Sequence, residues 1–197
     1  MINLHQSLEA AGAQYIPIYD VYVIGSFLRA PVNGQAFYEL RRGEFFVGSY
    51  SGLKTFREEI KGAGGMAQAD IHHIVENNHL QFLDFKHKLS ETTYEHQEPC
   101  VMLHHTEHRL FLTGGFRSGE KLFANLFKME RENRPKNLSE ANVVALRDHK
   151  VKWIQQNGIN AGELEKMFLS FYDTVYDWPE FAPLRRIVKN VLEQVKS

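Results

Sequence analysis

The sequence predicts an α+β chain with a β-rich N-terminal part and a helical C-terminal half. Residues 14–48 concentrate Tyr, Val, Ile and Phe and contain the hairpin dipeptide Asn33-Gly34. From residue 119 onward the apolar positions recur at helical spacing almost to the last residue. Between these parts, the short apolar runs in "DIHHIVE" and "CVML" read as strands.

Taken in order, residues 3–11 form a short amphipathic helix that Gly12 ends. After the β-rich stretch, Leu53, Phe56 and Ile60 repeat at helical spacing over 51–61, with Ser51 as the N-cap and Gly62 as the stop. The loop "GAGGMAQA" leads into the histidine strand, residues 77–86 make a short helix with Leu80, Leu83 and Phe82 turned inward, and a polar loop precedes "CVML". Helices follow at 119–130, 139–156, 161–175 and 180–195; Ser139 and Asn142 are weak cap residues, and Asn157-Gly158 and Trp178-Pro179 mark boundaries. No repeat or linker divides the chain, so residues 1–197 read as one domain.

Composition narrows the function. A hydrophobic content of 43% and a charged content of 24% are those of a globular protein, and no stretch is long and apolar enough to span a bilayer. The single cysteine, Cys100, cannot form an internal disulfide and reads as a buried, inert thiol. The start "MINLHQSLEAAGAQ" lacks the layout of a signal peptide, so the expectation is folding in a reducing compartment or export without a Sec signal. A net charge of −1 makes no global case for nucleic acid, although basic residues outnumber acids between Arg109 and Lys152.

The histidines carry the chemistry. His72 and His73 are adjacent on a strand, whose successive side chains point to opposite faces, so the two serve different environments. The following helix offers His104 or His105 together with His108; His104 and His108 stand four apart, which on a helix puts both imidazoles on one face around one cation. If His72 faces the same point, three nitrogens with open positions make a catalytic metal site, and His73 is left to act as a base. His5, His79, His87, His96 and His149 read as surface residues.

"HHIVE" followed by "VML" and "EHRLF" resembles the ββα-metal core of HNH (His-Me finger) endonucleases, in particular the C-terminal nuclease domains of bacterial polymorphic toxins. "FLTGGFR" and "YDWPEF" are similar to later motifs of those domains. The resemblance implies a ββα-metal core with its lead-in helix over 49–118, between a β-rich subregion at 1–48 and a helical one at 119–197. It makes His72 and His108 metal ligands and His73 the general base; His104, a third ligand by its spacing and ranked below His108, stands where similar sequences usually place a capping Ser or Thr, so a helix cap is its alternative role. Glu76 then orients an imidazole or a water, and Arg117 clamps phosphate, with Arg109 and Lys121 as further nucleic-acid contacts. It further implies one divalent ion (Mg or Mn, with Zn or Ni as alternatives) and DNA rather than RNA as substrate. The implied biology is delivery from the bacterial cytoplasm into a target cell, and a cognate immunity protein. Two other classes stand beside it: a zinc-dependent hydrolase of RNA or peptide, and a non-enzymatic interaction domain with structural histidines.

Overall fold

The computed structural model describes residues 4–25, 40–62, 69–84, 99–109 and 114–195, without the side chains of 60–62, 114–120 and 122. It is a mixed α+β structure. Helix α1 (His5–Ala10) is followed by strands β1 (Gln14–Ile16), β2 (Val21–Ile24) and β3 (Phe45–Ser49), then α2 (Tyr50–Gly62), β4 (Ala69–His73) and α3 (Asn77–Leu83). Strand β5 (Pro99–His104), the single turn α4 (His105–Glu107), α5 (Gly114–Asn133), α6 (Val143–Gln156), α7 (Ala161–Val175) and α8 (Ala182–Val195) complete it. The five strands form one antiparallel sheet in the order β1-β2-β3-β5-β4, so β4 is an edge.

Strand alternation sorts the side chains into two layers. Val21, Val23, Phe46, Cys100, Met102 and Ala69 face α2, where they bury Leu53 and Phe56. Ile24, Phe45, Val47, Val101 and Leu103 face the opposite side and join the larger core with α3 and α5–α8. At about 25 cal/mol per Å² of buried apolar surface, this second layer is the main source of stability. Helix α2 lies very close to the β1–β2 turn: a Cβ on Gly52 would fall 2.7 Å from the Tyr19 carbonyl oxygen, so only glycine lets this helix start where it does.

The structure changes several local expectations. Helix α2 begins at Tyr50, and its cap is Ser49, whose Oγ accepts from Gly52 N at 3.1 Å, rather than Ser51. Helix α5 is longer at both ends than 119–130, and Asn142, not Ser139, starts α6, its Oδ1 accepting from Ala145 N. The Asn33-Gly34 turn, His87 and His96 lie outside the described residues. His79 is buried, and His149 is mostly buried with Nε2 3.4 Å from Glu130 Oε1; both were expected at the surface. His79 leaves water because ring faces surround it: Phe168 stacks on it at 4.3 Å, and Phe123, Phe127 and Phe171 close the box. His5 is half exposed, as its setting suggested.

A buried cation joins α3 to α6. Lys150 Nζ donates to Gln81 Oε1 at 2.6 Å and to Asn78 Oδ1, and it lies 5.1 Å from the centre of the Phe82 ring. Burial holds its amine down at about 8. Between pH 8 and 10.5 the unfolded chain therefore binds more protons at this residue, so its contribution to stability rises with pH. From pH 7.5 to 9.5 we expect a gain on the order of 1–2 kcal/mol from this residue. Urea unfolding at both pH values should show that gain in wild type and lose it in Lys150→Met.

Candidate functional site

The site grows from the register of β4 on β5, which pairs His72 with Val101 and His73 with Cys100. Asp70 and His72 share the sheet face of the helical layer, and His73 takes the α2 face. There His73 Nδ1 lies 3.4 Å from Cys100 Sγ, and its ring runs nearly parallel to Tyr50. Cys100 is fully buried.

Asp70 is the hub. Its Oδ2 lies 2.6 Å from His105 Nδ1 and 2.8 Å from His108 Nδ1, so a charged Asp70 accepts from both rings. With its Nδ1 proton committed to Asp70, His108 turns Nε2 toward His72 Nδ1, 3.3 Å away. Behind His72, its Nε2 lies 3.9 Å from Glu76 Oε1. The carboxylate at the far nitrogen of His108 is hydrogen-bonded, whereas the one near His72 Nε2 is beyond hydrogen-bond distance. Burial pushes the Asp70 carboxyl up, but the hydrogen bonds from His105 and His108 outweigh it and hold the group below the ordinary carboxylate range. Burial, reinforced by His108 and His73, drives His72 down to about 3, so it is neutral at physiological pH.

His104 does something else. The helix starts only at His105, so His104 is the last residue of β5 and falls off the face shared by the helical histidines; its Nδ1 accepts from Thr106 N at 3.1 Å and caps the turn. His105, the spacing alternative, takes the place beside Asp70. Glu107, next to His108, is buried; Oε1 accepts from Gly43 N at 2.9 Å, which pins α4 to the 41–44 turn. Burial raises its carboxyl above the usual value.

The cluster opens onto a cleft of about 710 Å³ along the β4 edge, lined by Tyr50, Arg57, Asp70, Ile71, His105, His108 and Arg109. Of the expected nucleic-acid contacts, Arg109 lines it, Lys121 is exposed on α5, and the side chain of Arg117 lies outside the described residues. Arg57 was not foreseen. Its Nε has no hydrogen-bond partner among the described residues, although Nη2 reaches Glu58 Oε1 at 3.3 Å.

Helix α7 holds the turn that follows β4. Tyr176 donates to the Ile74 carbonyl at 3.0 Å. Tyr172 accepts from Glu76 N at 2.7 Å, which commits its own proton to His79 Nδ1, also at 2.7 Å. The chain Glu76 N–H, Tyr172 O–H, His79 therefore runs in one direction, and His79 is a neutral ring with its proton on Nε2. Burial drives its imidazolium down to about 3. Nothing in the local sequence marks Tyr172 or Tyr176 as partners of this turn.

Among the described residues, no group of three or more His, Cys, Asp or Glu side chains is arranged to hold a metal ion. No family model, curated protein or solved structure matches the chain.

A neutral buried His79 binds fewer protons than its unfolded counterpart between pH 6.5 and 3, so stability is lost as pH falls through that window. His79→Phe should flatten this acid limb, read by urea unfolding at pH 7 and 4.5. Tyr172→Phe leaves Glu76 N–H and His79 Nδ1 without their hydroxyl, and the expected cost at pH 7 is about 1–3 kcal/mol.

Proposed function

We propose that the chain is a metal-dependent endonuclease that hydrolyses DNA phosphodiester bonds in the cleft at the β4 edge. The observation that supports it best is the 3.3 Å separation of His72 Nδ1 from His108 Nε2. Two imidazole nitrogens each about 2.0–2.1 Å from one tetrahedral ion stand about 3.3–3.4 Å apart, so the pair fits a shared cation. Two protein ligands leave positions for water and phosphate oxygens, as a catalytic site requires. A divalent ion held there supplies Lewis-acid stabilisation of the charge that builds on the phosphate and the leaving 3′ oxygen.

The chain's own groups do the rest. Asp70 fixes the His108 tautomer so that its Nε2 lone pair faces His72, and Glu76 Oε1 stands 3.9 Å from His72 Nε2, beyond hydrogen-bond distance. Arg57 and Arg109 in the cleft offer donors to the flanking phosphates. The general base of the reading is His73, which the resemblance assigns to take a proton from the attacking water. It stands on the opposite face of the edge strand from His72, beside Tyr50 of the cleft wall. The resemblance alone supports the further proposal of an antibacterial toxin that acts in the target cytoplasm and is blocked by an immunity protein.

A second reading, an interaction domain with structural histidines, draws on the hydrogen bonds by which Asp70 already holds both His105 and His108. Titration calorimetry with Mn²⁺ or Zn²⁺ and a plasmid nicking assay separate the two. His72→Ala and His108→Ala should lose metal affinity and cleavage together, Asp70→Asn should weaken metal binding about 10–100-fold, and His104→Ala should bind metal as wild type does. His73→Ala should keep metal affinity and lose about 10²–10⁴-fold in rate. Wild-type affinity in His108→Ala, or no cleavage by wild type with Mg²⁺ or Mn²⁺, overturns the nuclease reading.

A further inference from the structure

The wall of the cleft contributed by α2 is built differently from one that only grips a backbone. Tyr50, the first residue of that helix, is 39% exposed and lines the cleft. Its ring runs nearly parallel to the His73 ring, with centroids 6.3 Å apart and 17° between the planes, an offset stack on one side of the tyrosine. Arg57, seven residues on and therefore on the same helical stripe, lines the cleft with a buried Nε that has no hydrogen-bond partner among the described residues. Arg109 lines it from beyond α4. One cleft thus brings together an aromatic ring and two guanidinium groups.

A planar face beside cations matches one chemistry closely. Unpaired nucleotides expose base faces that stack on aromatic rings while their phosphates take guanidinium donors, whereas a duplex presents base edges and keeps its faces stacked on each other. The size agrees: about 710 Å³ falls in the range of about 300–1,000 Å³ for sites that enclose a small ligand. Resting on the nuclease reading for the identity of the site, we propose that Tyr50 is a stacking platform for an unpaired nucleobase, with Arg57 and Arg109 on the neighbouring phosphates. The preferred substrate of the cleft is then single-stranded nucleic acid, or a frayed or looped strand.

Binding tests this without cleavage. Fluorescence anisotropy in chelator compares a labelled single-stranded 12-mer DNA, its RNA counterpart, the same DNA in a duplex, and a strand of abasic sites. Wild type should bind the single strands at least about 10-fold tighter than the duplex or the abasic strand. Tyr50→Ala should lose about 5- to 150-fold on single strands and leave duplex binding unchanged, whereas Tyr50→Phe retains wild-type affinity and controls for folding. The RNA and DNA arms show which sugar the site accepts. Equal affinity for single strand and duplex, no binding of any strand, or a Tyr50→Ala effect shared by duplex and abasic strand overturns the platform. Strand-selective binding without any metal-dependent cleavage keeps the platform and overturns the nuclease reading; plasmid cleavage with no strand preference does the reverse.

Discussion

The ladder between β4 and β5 is the constraint on which the candidate site depends. It sets Asp70 and His72 on one face, His73 on the other, and delivers the chain from His104 directly into the turn that carries His105 and His108. A slip of one residue would exchange the two faces: His73 would enter the helical layer, and Asp70 would lose both of its imidazole partners. Register is protected here by the apolar residues that share the strands. Ala69 belongs with α2, whereas Val101 and Leu103 belong with the large core, and a shifted pairing would expose one set or bury a carboxylate without partners.

Charge inside the cluster is arranged as economically as the backbone. One carboxylate oxygen serves two ring N–H groups, a buried imidazole stays neutral, and Arg57 and Arg109 sit at the cleft wall rather than among the histidines. On the far side of the helical layer, Lys150 lies among amide oxygens and Glu130 is paired with Arg134. Both are buried groups held by polar partners, the condition under which a low-dielectric interior tolerates charge. The α3 helix stands between these two polar regions, and its position is set from both.

Much of the fold was legible in the sequence because it rests on period. Leu164, Phe168, Phe171, Tyr172 and Val175 mark one buried stripe over 161–175, and the helix occupies that span. The separation of His72 from His73 was equally readable, since it needs only strand alternation. The same rule places Asp70, two residues before His72, on the same face, but a lone Asp beside a doubled histidine carries no signal of its own. The cap role of His104 was legible from the Ser or Thr that similar sequences place there, whereas its ligand role needed the helix to begin one residue earlier than it does. His79 was beyond local reasoning, because "NNHL" looks like solvent-facing helix until Phe123, Phe127, Phe168 and Phe171 arrive from distant segments. Tyr50 was passed over for a similar reason, lying one position before the expected helix start.

The clamps on the turn after β4 come from far along the chain. Tyr172 bonds Glu76 across 96 residues, and Tyr176 bonds Ile74 across 102. During synthesis the strand, its histidines and the turn therefore leave the ribosome long before the helix that orders them. At about 5–20 residues per second, several seconds separate the two events. Through that interval His72 has its sequence neighbours but not its geometry, and the nascent chain holds Asp70, His72, His105 and His108 without the framework that makes them converge.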